Sequence, residues 1–235
     1  MTDLAAKYGL PALHELFPGL VCQPDPDDVH FVAGDDLRLV GNVFFTSGGT
    51  EGRPILECNY GLKIIVSRAF PNALPRIYST DGQIQKGYHT FPSSAELCLG
   101  APLELREILL QDPTLPGYVT GALVPYLYRH RYTVERETEG PPGWEDLAHG
   151  TPGLLQYYND KLGVSDYGAC LVLLRQAGQR QQKKGRRVPC ICGSGKMLYK
   201  CHYERMLNLR RSVGREAVWN AYLHLRKSKA PPSEP

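Results

Sequence analysis

The sequence lacks the features of a membrane or secreted protein. No apolar run approaches the roughly 18 residues that a membrane-spanning helix needs, although 42% of the 235 residues are hydrophobic. The first residues, MTDLAAKYGLPALHELFPGL, lack a basic stretch followed by an apolar one, so we expect no secretory signal. These absences favour a cytoplasmic protein without a membrane partner, and the apolar content is ample for a packed core.

The charge is nearly balanced overall but not along the chain. The protein has 27 Lys and Arg against 24 Asp and Glu, a net charge of +3. Residues 1–174 carry 12 basic and 21 acidic side chains, whereas residues 175–235 carry 15 basic and 3 acidic ones. The net charge is therefore −9 in the first part and +12 in the second. Such asymmetry predicts two parts with different partners.

The apolar pattern predicts an α+β protein. One or two short helices are expected between Leu4 and Leu20, and the β-rich texture of residues 29–78 indicates strands. Residues 79–100 are expected to form a long loop around one short strand. Helical spacing follows in four segments, 116–131, 154–162, 169–182 and 203–229. The first of these contains Pro125, which predicts a kink or a division of the helix.

Three of the seven cysteines lie beside a histidine near the end of the sequence. Cys190, Cys192, Cys201 and His202 follow the pattern C-x-C-x8-C-H. Three thiolates and one imidazole are a closed tetrahedral ligand set for structural zinc, with no open position for water. The segment VPCICGSGKMLYKCHY closely resembles the SEC-C motif, the zinc-binding element at the C-terminus of the SecA translocation motor and in many bacterial proteins. This resemblance implies bound zinc and a role in docking another protein.

Among the other four cysteines, Cys98 has the setting expected of a reactive thiol. It follows His89 in the sequence HTFPSSAELCLG, inside the predicted loop and outside any apolar run. Loops can leave a thiol partly exposed and can supply groups that stabilise a thiolate or a leaving group. Cys58 and Cys170 lie among strand and helix residues and are expected in the core, and Cys22 has no evident partner. From the residues alone, a buried Cys98 without chemistry is the alternative.

The order of elements around Cys98 resembles the ubiquitin-conjugating enzyme family. In that family an N-terminal helix and strands in meander order precede a proline-rich turn, a histidine, the acceptor cysteine and further helices. Phe70-Pro71 and Pro75-Arg76-Ile77 match the turn, His89 matches the histidine, and Cys98-Leu99 match the acceptor cysteine and its following leucine. The likeness covers residues from about 4 to 165. It implies an antiparallel sheet flanked by helices, and a thioester intermediate on Cys98.

The resemblance also implies a class of partner. His89-Thr90-Phe91 stands where the family has His-Pro-Asn, so the asparagine that supports lysine attack is absent. In this the chain is similar to the divergent bacterial branch encoded with antiphage signalling (CBASS) operons. That branch attaches a cyclic-nucleotide synthase or a ubiquitin-like protein to a target. A separate activating enzyme is a further candidate partner, because no nucleotide-binding Gly-rich motif is present.

Two histidines are candidates to assist the chemistry at Cys98. His89 can polarise the site, although the matching histidine of the family is mainly structural. His149, in a second Gly-rich loop, can assist thiolate formation or deprotonate the amine. A solvated loop histidine without a catalytic role is the alternative for His149.

These patterns divide the chain into four predicted segments. They are a ubiquitin-conjugating-enzyme-like domain over 1–168, a basic linker helix over 169–187, the SEC-C zinc motif over 188–203 and a basic helical tail over 204–235. Two other classes of function stay open. One is a non-catalytic member of the same fold that serves as a binding module, and the other is a zinc-containing adaptor for protein or nucleic acid. Nucleic acid is the less favoured partner, because no aromatic array for stacking bases is evident.

Overall fold

The structure is a computed structural model that describes residues 8–23, 36–50, 52–138, 140–141, 150–179 and 187–228. These residues form an antiparallel sheet and a set of helices. The predicted α+β class is confirmed. By their contacts the residues divide into two compact units. Unit 1 holds residues 1–100 and 111–145, and unit 2 holds residues 101–110 and 146–235.

In the described part of unit 1, a short helix precedes four strands. The elements are α1 (Leu10–Leu16), β1 (Leu20–Cys22), β2 (Leu37–Ser47), β3 (Leu56–Val66) and β4 (Arg76–Ser79). Each strand pairs antiparallel with the next, so that sheet order follows chain order. The β2–β3 pair is the longest, running from Leu37 opposite Val66 to Ser47 opposite Leu56.

One face of the sheet is buried because its apolar side chains recur at every second residue. In β3, Leu56, Cys58 and Tyr60 are at most 5% exposed, whereas Glu57 and Asn59 between them are exposed. Successive side chains of a strand point to opposite faces, so this alternation buries one face and hydrates the other.

A helical stretch with a widened turn completes unit 1. It consists of α3 (Leu115–Tyr118), a π-helical turn (Val119–Leu123) and α4 (Val124–Arg136). The Val124 N–H donates to the Val119 carbonyl, five residues back. Pro125 has no N–H, and in a regular helix its ring meets the carbonyl four residues earlier. The widened turn just before Pro125 is therefore how the predicted kink is accommodated.

Unit 2 is built from helices around the cysteine–histidine segment. Its elements are most of α2 (Pro102–Gln111), then α5 (Thr151–Leu162), α6 (Tyr167–Gly178), a 3-10 turn (Leu198–Lys200), α7 (Tyr203–Val213) and α8 (Arg215–Lys227). Their apolar faces share one core. Its fully buried members include Leu162, Cys170, Leu173, Leu174, Ala177, Val218 and Leu225.

The two units divide the chain differently from the four predicted segments. Helix α5 falls within the predicted 1–168 domain, yet Tyr158 and Leu162 pack in the core of unit 2. Helix α6 begins the predicted linker helix, yet Leu173 and Leu174 have no exposed surface. The apolar side chains of α6 recur at helical spacing and are buried by neighbouring helices. The basic residues at 180–186 lie outside the described residues.

Candidate functional site

Cys190, Cys192, Cys201 and His202 lie together, as their spacing predicted. One ligand atom from each residue lies within 4.8 Å of all the others. The Cys192 and Cys201 Sγ atoms are 3.6 Å apart, and His202 Nδ1 is 3.1 Å from Cys190 Sγ. Thiolates around tetrahedral zinc are expected about 3.8 Å apart, given a zinc–sulfur distance of about 2.3 Å. The four residues are thus placed so that one metal ion can contact all of them.

A tight loop produces this arrangement. The Cys190 N–H donates to the Lys196 carbonyl at 2.8 Å, which closes the loop on itself. Gly193 and Gly195 have positive φ angles of 75° and 69°, which let the chain reverse inside the loop at little steric cost. The 3-10 turn then brings the second ligand pair back towards the first. The local chain geometry therefore brings the four candidate ligands close together.

The three thiols of this cluster differ in their environments. Burial raises the pKa of Cys190, which is 6% exposed. The Ser194 side chain, 3.2 Å from Cys192 Sγ, lowers the pKa of Cys192 to about 6 by hydrogen bonding. A divalent metal binds thiolates and displaces the remaining protons. The buried His202 and Cys190 and the four-ligand set are typical of a structural metal centre.

Cys98 and His89 pair across a small hairpin. The Cys98 N–H donates to the His89 carbonyl at 2.7 Å, and the Phe91 N–H donates to the Glu96 carbonyl at 2.8 Å. The Leu97 N–H in turn donates to the carbonyl of Ile77 on β4 at 2.8 Å. Cys98 is partly exposed. The hairpin thus places a partly exposed thiol beside the last strand of the sheet.

The two candidate histidines have different positions. His89 joins Cys98 through its backbone carbonyl, and its ring lies edge-on against Tyr88 with 5.1 Å between centroids. His89 also has a positive φ of 39°, a conformation of the hairpin backbone. These contacts give His89 a structural part in the hairpin. His149 lies outside the described residues.

Helix α4 supports the hairpin with a tyrosine that sequence reasoning missed. The Tyr126 hydroxyl donates to the carbonyls of Tyr88 and His89 at 3.3 and 3.4 Å. Burial raises the pKa of Tyr126 well above its usual range, and the nearby Tyr88 and Cys98 raise it further. The hydroxyl therefore keeps its proton and remains a donor. It bonds to the same His89 carbonyl that accepts the Cys98 N–H.

His130, one turn further along α4, supports the hairpin through ring contacts. Its Nδ1 is 2.7 Å from the hydroxyl of Tyr60 on β3, and its ring is 4.7 Å from that of Tyr88. Burial lowers the pKa of His130, which favours the neutral imidazole. The pairing of His130 with Tyr60 and Tyr88 was not predictable from sequence, because the three residues lie on separate elements.

Removal of the Tyr126 hydroxyl is expected to loosen the hairpin that carries Cys98. A Tyr126→Phe variant loses the hydrogen bonds to two carbonyls. A side-chain hydrogen bond contributes about 0.5–1.5 kcal/mol, so exchange of the Cys98 amide proton should accelerate about 3- to 10-fold. Residue-resolved hydrogen exchange measures this rate.

Tyr128→Phe is the matched control for this prediction. Tyr128 also lies on α4, and its hydroxyl donates to the Pro54 carbonyl at 2.8 Å. This variant should lose comparable stability while exchange at Cys98 stays unchanged. An equal acceleration in both variants would contradict a specific role for Tyr126.

No protein-family model, curated protein or solved structure matches this chain. Within the described ranges, none of the helices is both long enough and apolar enough to cross a membrane. The chemistry of the cysteine–histidine cluster and of the Cys98 hairpin is therefore the basis for assigning a function.

Proposed function

We propose that the protein is a ubiquitin-conjugating-enzyme-like acyl carrier with Cys98 as its acceptor thiol and a structural zinc ion in the four-residue cluster. The placement of Cys98 carries the proposal. A partly exposed cysteine lies on a hairpin beside the last strand of an antiparallel meander, after an N-terminal helix and before further helices. This order agrees with that of the ubiquitin-conjugating fold.

The proposed reaction consists of two acyl transfers. The Cys98 thiolate attacks an activated carboxyl carbon at the C-terminus of a partner protein. A carbon–sulfur bond forms, and the activating group leaves with its electron pair. A target amine, a lysine in this proposal, then attacks the thioester carbonyl, so that an amide forms while the carbon–sulfur bond breaks. The amine loses its proton to solvent or a base, and the Cys98 thiolate is regenerated.

Other residues have supporting parts in this reaction. The His89 carbonyl holds the Cys98 amide, and Tyr126 holds that carbonyl. The proposed donors to the oxyanion that forms during each transfer are the backbone amides of Ser93, Leu99 and Gly100 or a nearby side chain, since the amides of residues 94–98 already donate to acceptors within the protein. His149 is proposed to assist deprotonation of the thiol or the amine.

The proposed partner is a cyclic-nucleotide synthase or a ubiquitin-like protein, in bacterial antiphage defence in the cytoplasm. The His-Thr-Phe triplet at residues 89–91, which lacks the family asparagine, supports the divergent bacterial branch. A separate activating enzyme would supply the activated carboxyl group, since a free carboxylate does not acylate a thiol spontaneously.

The metal loop, residues 190–202, contains the four proposed metal ligands. Its surface supports a role in docking another protein. Ile191, Met197 and Tyr199 are 50%, 44% and 47% exposed, and the basic side chains of Lys196 and Lys200 are exposed beside them in the sequence. Exposed apolar side chains with basic neighbours are common on protein-binding surfaces. The same side chains favour the second candidate function, a non-catalytic adaptor.

Two of the three arginines of α7 favour protein over nucleic acid as the docked partner. The Arg210 guanidinium donates to the carbonyls of Ala177 and Gln179 at 3.3 and 2.8 Å. The Arg205 guanidinium is 3.4 Å from the Asp160 carbonyl. These two cations serve contacts within unit 2 and are less available to bind phosphates.

Incubation of the protein with ATP and the products of its neighbouring genes tests the proposed function. The expected product is an adduct larger by the mass of one partner, which a reducing agent cleaves and which mass spectrometry locates on the Cys98 peptide. An adduct on another cysteine, or no adduct with any neighbouring product, would overturn the acyl-carrier proposal.

A further inference from the structure

His202 has a second partner on the side of its ring away from the cysteines. Its Nε2 is 2.9 Å from the Gly163 carbonyl oxygen. A carbonyl oxygen only accepts, so Nε2 carries the proton and donates it. Nδ1, which is 3.2 Å from Cys201 Sγ, then presents its lone pair to the ligand cluster. Gly163 thus sets both the tautomer and the ring orientation of His202.

The end of helix α5 requires glycine at this position. Gly163 has a φ of 71° and a ψ of 41°, in the left-handed region. Its N–H donates to the Asn159 carbonyl at 2.6 Å, which closes the last turn of the helix. A Cβ at this position would collide with the Arg205 guanidinium, which itself reaches the Asp160 carbonyl. A side chain would therefore first displace the Arg205 guanidinium, the far end of a flexible side chain, while the left-handed backbone would strain the turn that presents the Gly163 carbonyl.

We propose that Gly163 is a positioning residue of the metal centre. Its carbonyl holds His202 Nδ1 towards the three sulfurs before a metal binds, which reduces the ordering that binding must impose. The inference rests on the proposed metal binding and is independent of the chemistry at Cys98. Coupling between two sites is reciprocal. The factor by which the folded end of α5 strengthens metal binding is therefore also the factor by which a bound metal should stabilise the folded end of α5.

Gly163→Ala tests the proposed role with all four ligands intact. Loss of an outer-sphere hydrogen bond to a ligating histidine lowers metal affinity about 10- to 100-fold. We expect this loss in Zn²⁺ affinity, measured by competition with a chromogenic chelator. The absorption spectrum of bound Co²⁺ should also change, because the imidazole is no longer held in its orientation. Unchanged affinity together with an unchanged spectrum would overturn the inference.

Gly214→Ala is the matched control for a general loss of stability. Gly214 joins α7 to α8 in the same unit, has a positive φ of 81°, and a Cβ there meets no atom within 4 Å. Alanine there is strained in its backbone but leaves His202 untouched. Its Zn²⁺ affinity should stay near that of the unchanged protein. An equal loss in both variants would show that affinity follows the stability of unit 2, and would overturn the role of Gly163.

Hydrogen exchange tests the reverse direction of the coupling. The amides of Gly163 and Val164 both donate to the Asn159 carbonyl, at 2.6 and 3.1 Å. Removal of Zn²⁺ with a chelator should accelerate their exchange about 10- to 100-fold. Equal rates with and without Zn²⁺ would contradict the coupling. If the protein without any substitution binds neither Zn²⁺ nor Co²⁺, the proposed metal site itself is contradicted.

Discussion

The Cys190→Ala variant is expected to lose its metal and much of the fold of unit 2 together. The Cys190 side chain is 6% exposed and packs in the same core as Leu198 and Met206, so it is both a proposed metal ligand and a core residue. Structural zinc contributes an apparent binding free energy of about 10–16 kcal/mol in zinc-finger peptides. This is comparable with the whole stability of a typical domain, about 5–15 kcal/mol. Zinc content and the urea dependence of unfolding measure the two effects.

The position of the cluster extends the expected damage beyond the tail. From the sequence pattern alone, replacement of Cys190 loosens only the residues after it. The core that contains Cys190 also holds Tyr158 of α5 and Leu174 of α6. Fluorescence and limited proteolysis should therefore report opening of α5 and α6 as well.

Cys170→Ala separates loss of metal from loss of packing. Cys170 is fully buried in the same core and lies outside the ligand set. Its replacement should cost about 1–2 kcal/mol of the free energy of unfolding and leave zinc bound. The prediction for Cys190 fails if Cys190→Ala keeps tetrahedral metal, or if it destabilises the protein no more than Cys170→Ala does.

The Cys98→Ala variant is expected to form no reductant-sensitive adduct at all. Alanine has no acyl acceptor, so the loss should be complete rather than partial. The fold should survive, because the hydrogen bond to the His89 carbonyl uses the backbone N–H, which alanine keeps. A change in the free energy of unfolding within about 0.5 kcal/mol is expected at this partly exposed position. Non-reducing electrophoresis and thermal unfolding measure the two properties.

Cys58→Ala and Cys98→Ser sharpen this test. Burial raises the pKa of Cys58 to about 11, so at neutral pH this thiol is protonated and a poor nucleophile. Cys58→Ala should therefore keep the adduct while losing stability. Cys98→Ser offers a hydroxyl, and any adduct it forms should be an ester that resists reducing agents. A reductant-sensitive adduct that persists in Cys98→Ala would contradict the assignment.

The clustering of the three cysteines with His202 could be predicted because its geometry is local. Cys190 to His202 span thirteen residues of sequence, and two glycines with positive φ and hydrogen bonds within the segment, such as that from Cys190 to Lys196, fold it back on itself. The closeness of His89 and Cys98 could be predicted for the same reason, because both lie in one loop. Short-range spacing is the signal in both cases.

The partners that orient these residues could not be predicted. Gly163 lies 39 positions from His202, and Tyr126 lies 37 positions from His89. Neither residue carries a motif, since a carbonyl acceptor is available at every position of the chain and a buried tyrosine is common in cores. Helix α6 was predicted as a helix, but it was assigned to a linker because a basic run follows it. That run gives no information on which residues cover the apolar face of α6.

Residues 101–110 belong to unit 2 although unit 1 precedes and follows them in the chain. The Ser212 hydroxyl donates to the Glu107 carboxylate at 3.2 Å across 105 positions. During synthesis at about 5–20 residues per second, this segment waits about 5–20 seconds for that partner to emerge from the ribosome. A chain truncated before residue 190 would lack Leu198, Met206, Val218 and Leu225, which belong to the same core as Leu103. We therefore expect truncated forms to need chaperones or to aggregate.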